Sequence, residues 1–109
     1  MNKPTFTQYI IVGTYYTLSG EITHAQCVGN MFLTQDAARE WLTSDKGIGL
    51  VKKCGEYASN HGMSLEFLQN DNEGLSYILE VIDGDKRYPS IQYDIVAIKY
   101  KNRKVDENI

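Results

Sequence analysis

The stretch Gln8–Leu18, QYIIVGTYYTL, predicts the central β-strand of this chain. Side chains alternate between the two faces of a strand, and a half-buried strand normally carries one polar face. Here both faces are apolar or aromatic, with Tyr9, Ile11 and Tyr15 on one face and Ile10, Val12, Tyr16 and Leu18 on the other. Such a strand is typical of mid-sheet positions that are covered on both sides. In a chain this short, we expect the second cover to come from outside the chain.

Length and composition indicate one soluble domain. The 109 residues are near the commonest domain size, and a content of 42% hydrophobic and 23% charged residues is ordinary for a folded protein. We predict a single domain over residues 1–109, with flexible ends at 1–7 and 102–109. No leader peptide or membrane span is recognisable, so we expect a cytoplasmic location and reduced thiols at Cys27 and Cys54.

The second predicted strand, Ile22–Phe32, follows a turn at Ser19-Gly20, and its side chains do alternate. One face would carry small apolar residues that pack in the core, namely Ala25, Cys27, Gly29 and Met31. The other face would carry polar residues that meet solvent or a ligand, namely His24, Gln26 and Asn30. We therefore expect the second apolar face to be local to the first strand and its other neighbour.

Helix is predicted in the middle of the chain. Thr34 is a good N-cap, and apolar residues follow with helical spacing at Ala37, Ala38, Trp41 and Leu42. A second helix is predicted from about Ile48 to Asn60, with Gly62 as its C′ residue. The segment 43–49, TSDKGIG, separates the two patterns, so the region forms either two helices or one kinked helix.

The last third of the chain returns to strands, predicted at Ser64–Gln69, Leu75–Asp83 and Ser90–Lys101, with a turn at 70–74 and a loop over 83–89. In the final strand the apolar phase changes at Ile95-Val96, which predicts a β-bulge or a strong local twist. The order of elements is thus ββααβββ. Helices grouped between strand pairs favour an α+β fold, with a mostly antiparallel sheet of about five strands and the helices on one face.

No motif in the sequence fixes a chemistry. The pairs His24/Cys27 and Cys54/His61 suggest zinc. However, the first pair would point to opposite strand faces, and the second would lie about 10 Å apart along a helix. Neither cysteine lies in an environment that clearly marks a reactive thiol, since both fit core stripes, and no phosphate-binding or dinucleotide fingerprint is present. We therefore predict no metal, no cofactor and no catalytic residue.

The function predicted from these residues is non-catalytic binding or protein interaction, with a second copy of the chain or another protein as the expected partner. Eight tyrosines against three phenylalanines and one tryptophan suggest a contact surface that is rich in tyrosine. The candidate interface residues are Ile10, Val12, Tyr16, Tyr93 and Tyr100.

Two alternatives stay open. A basic cluster interleaved with Tyr100 suggests single-stranded nucleic-acid binding, which the net charge of −3 disfavours. Its residues are Lys99, Lys101, Arg103 and Lys104. A small enzyme would assemble its site from scattered polar residues such as His24, Gln26 and Asn30, although this trio lacks a nucleophile and a matched acid–base pair.

Overall fold

The computed structural model describes residues 5–44, 56 and 58–101, and the rest of the chain lies outside the described part. In chain order the elements are β1 (Thr5–Tyr16), β2 (Ile22–Phe32), α1 (Gln35–Thr43), β3 (Ser64–Gln69), β4 (Ser76–Asp83) and β5 (Lys86–Lys101). The strands form one antiparallel sheet in the spatial order β2-β1-β5-β4-β3. The described chain is therefore mostly antiparallel sheet with a smaller helical part, which fits a sheet-rich α+β class.

β1 and β5 pair inside the sheet, although they are the first and last elements of the chain. Their ladder joins eleven residue pairs without a break, from Thr5 opposite Lys101 to Tyr15 opposite Ile91. β1 therefore begins at Thr5 and not at Gln8, because the final residues of β5 supply partners for its backbone. The expectation of a flexible end over residues 1–7 does not hold for residues 5–7.

The bulge predicted at Ile95-Val96 is absent, because the ladder with β1 passes through both residues without a register shift. The shift occurs instead between β4 and β5, where Leu79 pairs with Ile91 and Glu80 pairs with Pro89. The extra residue between those two pairs follows a proline, which has no N–H to donate to a ladder. The apolar residues of β5 therefore lie on the face that carries Tyr93 as far as Ile95, and on the opposite face from Val96 onward.

β5 also begins earlier than the sequence predicts. A tight turn at Gly84-Asp85 joins β4 to β5, with Asp83 paired to Lys86. Residues 86–89, which the sequence pattern assigns to a loop, therefore belong to the strand. The hairpin closes with two residues because Asp-Gly and Gly-Asp dipeptides favour the backbone conformations of tight turns.

α1 packs against one face of the sheet, which we term the helix face. This face carries the odd-numbered residues of β1 and β5, because paired residues of an antiparallel ladder point the same way. Ala38 and Leu42 of α1 belong to its buried cluster. The sheet residues of the same cluster are Ile11, Tyr77, Leu79, Ile91, Tyr93 and Ile95. This cluster of described residues therefore lies on the side of the sheet that α1 covers.

Thr34 is the N-cap of α1, as predicted, and its hydroxyl oxygen accepts a hydrogen bond from the backbone N–H of Ala37 at 3.0 Å. Arg39 ties the helix to the loop between β3 and β4. Its guanidinium donates to the carbonyl oxygens of Gly74 at 3.1 Å and Glu73 at 3.0 Å. These bonds satisfy two loop carbonyls and hold the helix in place over the sheet.

The second predicted helix lies mostly outside the described residues, which include its last turn at 58–60. Gly62 follows that turn with a φ of +74°. The N–H of Met63 donates to the carbonyl of Ala58 at 2.8 Å, and the N–H of Gly62 donates to that of Ser59 at 3.1 Å. These two bonds define a Schellman motif with Gly62 at C′, so the predicted end of the helix is confirmed.

β2 departs from regular pairing near its end. Between the pairs Ile11–Val28 and Tyr9–Phe32, three residues of β2 lie opposite one residue of β1. Gly29 begins this bulge with a φ of +73°, and a Cβ atom there would lie 3.0 Å from the Trp41 ring. Glycine is therefore required at position 29 for two reasons, its backbone conformation and the close approach of the Trp41 ring.

Replacing Gly29 with alanine should destabilise the fold more than replacing Gly62 with alanine. Both positions have nearly the same positive φ, so each variant should lose roughly 1–2 kcal/mol for a left-handed alanine. The new methyl group meets Trp41 at Gly29, whereas at Gly62 no atom of the described residues beyond its chain neighbours lies within 4 Å. We expect a further loss of about 1 kcal/mol or more at Gly29, measured by urea unfolding. Equal losses would contradict the packing of Trp41 on β2.

Candidate functional site

The face of the sheet opposite the helix face carries the even-numbered residues of β1 and β5. Each residue forms a row with its partner on the other strand. The rows are Phe6/Tyr100, Gln8/Ile98, Ile10/Val96, Val12/Asp94 and Thr14/Gln92. We term these ten residues the open face. Most of them are apolar or aromatic, and Asp94 is the one charged residue among the ten.

The residues of the open face stay accessible, because α1 packs on the other side of the sheet. All ten are exposed or half-buried, with Phe6 54% and Val96 40% exposed. On the helix face, the adjacent Ile95 is only 8% exposed. The rings of Phe6 and Tyr100 stack with centroids 4.8 Å apart and planes inclined by 14°. The open face therefore ends in an aromatic pair that is partly in contact with solvent.

β1 and β5 extend beyond their outer neighbours. β2 pairs with β1 as far as Tyr9, and β4 pairs with β5 as far as Asp94. The rows Phe6/Tyr100 and Gln8/Ile98 consequently lie on a two-stranded extension of the sheet. A two-stranded ribbon has little side-chain surface against which to bury its own apolar residues. The apolar residues of this extension are therefore those that gain most from a partner.

Four of the five predicted interface residues lie on this side of the sheet. Ile10, Val12 and Tyr100 belong to the open face, and Tyr16 continues the same alternation in β1. Tyr93 does not, because it pairs with Gly13 on the helix face and is 2% exposed within the buried cluster. Tyr93 is therefore a core residue and, contrary to the prediction, is not available to an interface. The reason is the change of apolar phase in β5.

Sequence reasoning misses three apolar residues of the open face, namely Phe6, Val96 and Ile98. It assigns Phe6 to a flexible end, and it assigns Val96 and Ile98 to a strand segment beyond a bulge. A usable signal was nevertheless present for Phe6. It has the same parity as Ile10 and Val12, so continuing the alternation towards the N-terminus places it on the same face.

The polar residues of the open face are Gln8, Thr14, Gln92 and Asp94. The side-chain Nε2 of Gln92 donates to the Asp94 carboxylate, at 3.1 Å from Oδ2. Among the described residues, no lysine or arginine forms an ion pair with Asp94. The carboxylate is therefore stabilised by an amide and by solvent, and it retains the capacity to accept a further hydrogen bond.

Cys27 lies beside the open face, because it pairs with Val12. It is an exposed, free cysteine, whereas the sequence pattern places it in the core. The difference arises because the face of β2 that carries Ala25 and Cys27 points away from α1. The polar face of β2, with His24 and Gln26, lies on the helix side. Cys54, the other predicted core thiol, lies outside the described residues.

The predicted basic cluster does not combine Lys99 and Tyr100 on one surface. The two residues are consecutive in a strand, so Tyr100 lies on the open face and Lys99 on the opposite one. Lys101 is the last residue of β5, and Arg103 and Lys104 lie outside the described residues. A sheet that binds single strands uses aromatic and cationic groups together on one face, and Lys99 with Tyr100 does not form such a pair.

The polar trio of β2 is also divided. The His24 ring stacks on Tyr15 with centroids 4.4 Å apart, and Nε2 of Gln26 donates to the Tyr15 hydroxyl at 3.1 Å. Asn30 lies in the bulge and is not part of this group. The other described contact of His24 is with the Thr23 hydroxyl, at 3.1 Å. Among the described residues no carboxylate is paired with this imidazole, so the group lacks the acid–base pair that general acid–base catalysis uses.

Arg87 lies between two carboxylates on neighbouring strands. Its guanidinium donates to Glu66 and, at 3.1 Å, to Glu80, and these two glutamates are paired across the β3–β4 ladder. The hydrogen bond to Glu66, followed by that to Glu80, raises the pKa of Arg87 above its ordinary value. Like charges directly opposite each other destabilise a sheet. Arg87 offsets the repulsion between Glu66 and Glu80, so we assign it a structural role.

Other classes of site are not found in the described ranges. Within residues 5–44, 56 and 58–101, no group of three or more His, Cys, Asp or Glu residues is placed to hold a metal ion. No helix in the same ranges is long and apolar enough to cross a membrane. No family model, curated protein or solved structure matches the chain. The open face is therefore the feature of the described residues from which we infer a function.

Cys27 should react with a thiol reagent in the folded protein at low concentration. We expect a Cys54→Ser variant to be labelled at a rate close to that of a small model thiol, because Cys27 is exposed. A chromogenic disulfide reagent measures the rate, and the Cys27→Ser variant gives the contribution of Cys54. Labelling that occurs only when the protein unfolds would contradict the exposed position of Cys27.

Proposed function

We propose that this chain is a small non-catalytic interaction domain that self-associates by packing its open face against a second copy. The observation that carries the proposal is an exposed apolar stripe on two strands inside the sheet, with Val96 40% exposed beside Ile95 at 8%. Strands with two apolar faces normally have both faces covered. α1 occupies the helix face, so the second layer is supplied by another molecule.

Removal of apolar surface from water drives this association, at about 25 cal/mol per Å² buried. Tyr100 and Phe6 suit an interface because aromatic rings bury a large area, and a tyrosine hydroxyl keeps a hydrogen-bond partner when its ring is covered. A second copy is the simplest partner, since a two-fold axis lets the same residues serve both sides.

The proposal gives each chain two layers, the sheet and the helix α1 that packs on its helix face. Two such chains would form a helix–sheet–sheet–helix stack. A cytoplasmic location fits this arrangement, because a reducing compartment keeps an exposed free thiol such as Cys27 intact.

Replacing Val96 with lysine should abolish self-association, because it would bury an ammonium group of each copy in an apolar interface. The matched control is Ala97→Lys, which adds the same side chain at the next residue, also exposed but on the other face of β5. Sedimentation equilibrium over a wide concentration range measures the mass, and circular dichroism verifies that both variants fold.

The wild-type chain and Ala97→Lys should show a mass that rises with concentration, whereas Val96→Lys should stay monomeric. A wild-type chain that is monomeric throughout would contradict the proposal. So would a folded Val96→Lys variant that associates as strongly as the wild-type chain.

A further inference from the structure

We infer that the second copy contacts one end of the open face, together with the end of β2, and leaves the other end in solvent. This inference rests on the proposed self-association and adds to it the part of the face where the copies meet. It follows from where the exposed apolar side chains and the charged side chains lie on that side of the sheet.

The apolar surface of the open face extends onto the last residues of β2. Phe32 pairs with Tyr9 and packs against the buried cluster, with its ring centroid 6.0 Å from that of Trp41. Phe32 therefore points to the helix face, and Met31, the residue before it in the strand, points to the open side. Met31 is 58% exposed, and Leu33, which follows Phe32, is 77% exposed. Met31 is thus not a core residue, although the sequence pattern places it in the core.

These two residues join the apolar residues of the open face at the end of the sheet where β1 begins and β5 ends. We term this surface the end patch. Its residues are Phe6, Ile10, Val96, Ile98 and Tyr100 of the open face, with Met31 and Leu33. Gln8 is the one residue in the three open-face rows at this end that is neither apolar nor aromatic. A contiguous exposed apolar patch of this kind is typical of an interaction site.

The charged residues of the open side lie towards the other end of the sheet. Glu66 and Glu80 pair with each other, and Leu79, beside Glu80, belongs to the buried cluster, so both glutamates point to the open side. Arg87 binds both carboxylates and lies on the same side. Together with Asp94, these are the charged side chains that the described strands place on the open side.

A partner that covered this charged end would remove ions from water. The side chains of Arg87 and Glu66 are 46% and 42% exposed, so water still solvates both charges. Taking an ion out of water costs several kcal/mol even after relaxation, whereas apolar surface returns about 25 cal/mol per Å² buried. A contact centred on the end patch gains the apolar term and leaves the Arg87 network in solvent.

The lack of charge in the end patch favours a second copy as its occupant. Two identical patches with a net charge would repel each other, and no residue of the end patch is charged. Nucleic acids and anionic lipid surfaces are held mainly through cationic groups. Lys99, which could supply such a group, lies on the opposite side of β5. The surface that complements the end patch is therefore apolar and uncharged, and its own copy provides one.

Lysine substitutions at the two ends of β1 and β2 test the inference. Leu33→Lys and Met31→Lys would each bury a charge in the contact, so each should raise the dissociation constant about tenfold or more. Leu18→Lys is the matched control. Leu18 is 60% exposed and lies in the turn beyond Tyr16, which is itself about 20 Å from Ile10 along the strand.

Leu18→Lys should leave the dissociation constant within about twofold of the wild-type value, as is usual for an exposed position outside a contact. Sedimentation equilibrium measures the constants, and circular dichroism verifies that the three variants fold. All three positions are more than half exposed, so the substitutions leave the buried cluster unchanged.

A second measurement reads the contact without adding a charge. In a background with Cys27→Ser and Cys54→Ser, Leu33→Cys should be alkylated more slowly as the protein is concentrated, because the second copy covers this position. Leu18→Cys, which is also exposed, should be alkylated at a rate that does not depend on concentration.

The outcomes separate this location from the proposed function. Weaker association of Leu33→Lys and Met31→Lys, with Leu18→Lys unchanged and Leu33→Cys protected, would support the contact at the end patch. If Leu18→Lys weakens association as much, if none of the three variants does, or if Leu33→Cys is not protected, the location is wrong and self-association stands. A wild-type chain that stays monomeric would overturn both.

Discussion

The unbroken ladder between β1 and β5 is the constraint on which the rest of the structure depends. It joins the two ends of the described chain inside the sheet, so β2 and β4 can only be added at its outer sides. Because the register has no shift along eleven pairs, it also fixes which residues share a face. Odd-numbered residues of both strands enter the core with α1, and even-numbered residues form the open face. The division of the molecule into a packed side and an accessible side follows from this one register.

The two sides differ in how completely they remove apolar surface from water. On the helix face, Ile11 and Tyr93 reach 0% and 2% exposure because Ala38 and Leu42 of α1 cover them. On the open face, residues of similar hydrophobicity keep a large fraction of their surface in contact with water. Apolar area stays accessible on these two strands inside the sheet. A partner that covered it would remove it from water and so gain further free energy of burial. The proposed self-association uses that remaining area without requiring any change in the fold.

Local sequence patterns predicted those parts of the fold that depend on near neighbours. The N-cap at Thr34, the helix end at Gly62 and the bounds of β2 and β3 are determined within a few residues, and the structure agrees with them. The early start of β1 at Thr5 could not be read in the same way. Residues 5–7 are held in the strand by residues 99–101, so only the long-range pairing reveals it.

The candidate site was also predictable only where a local sequence pattern determines the position of a residue. Period-two alternation places Ile10, Val12 and Tyr16 on one face of β1. The assignment of Tyr93 and Cys27 required knowing which face α1 covers, and that depends on tertiary packing. In β5 the apolar residues change face at Ile95-Val96, a pattern that a bulge would also produce. The register is unbroken, so no bulge is present. The apolar residues up to Ile95 lie on the face that α1 covers, and those from Val96 onward lie on the open face.

The most direct measurement of the central claim is the concentration dependence of methyl NMR shifts in the wild-type chain. If a second copy covers the open face, the methyl signals of Ile10, Val96 and Ile98 should move as the protein is concentrated. Those of Leu42 and Leu79, buried on the helix face, should stay in place. Signals from both faces that remain unchanged over the full concentration range would contradict the claim, and so would movement confined to the helix face.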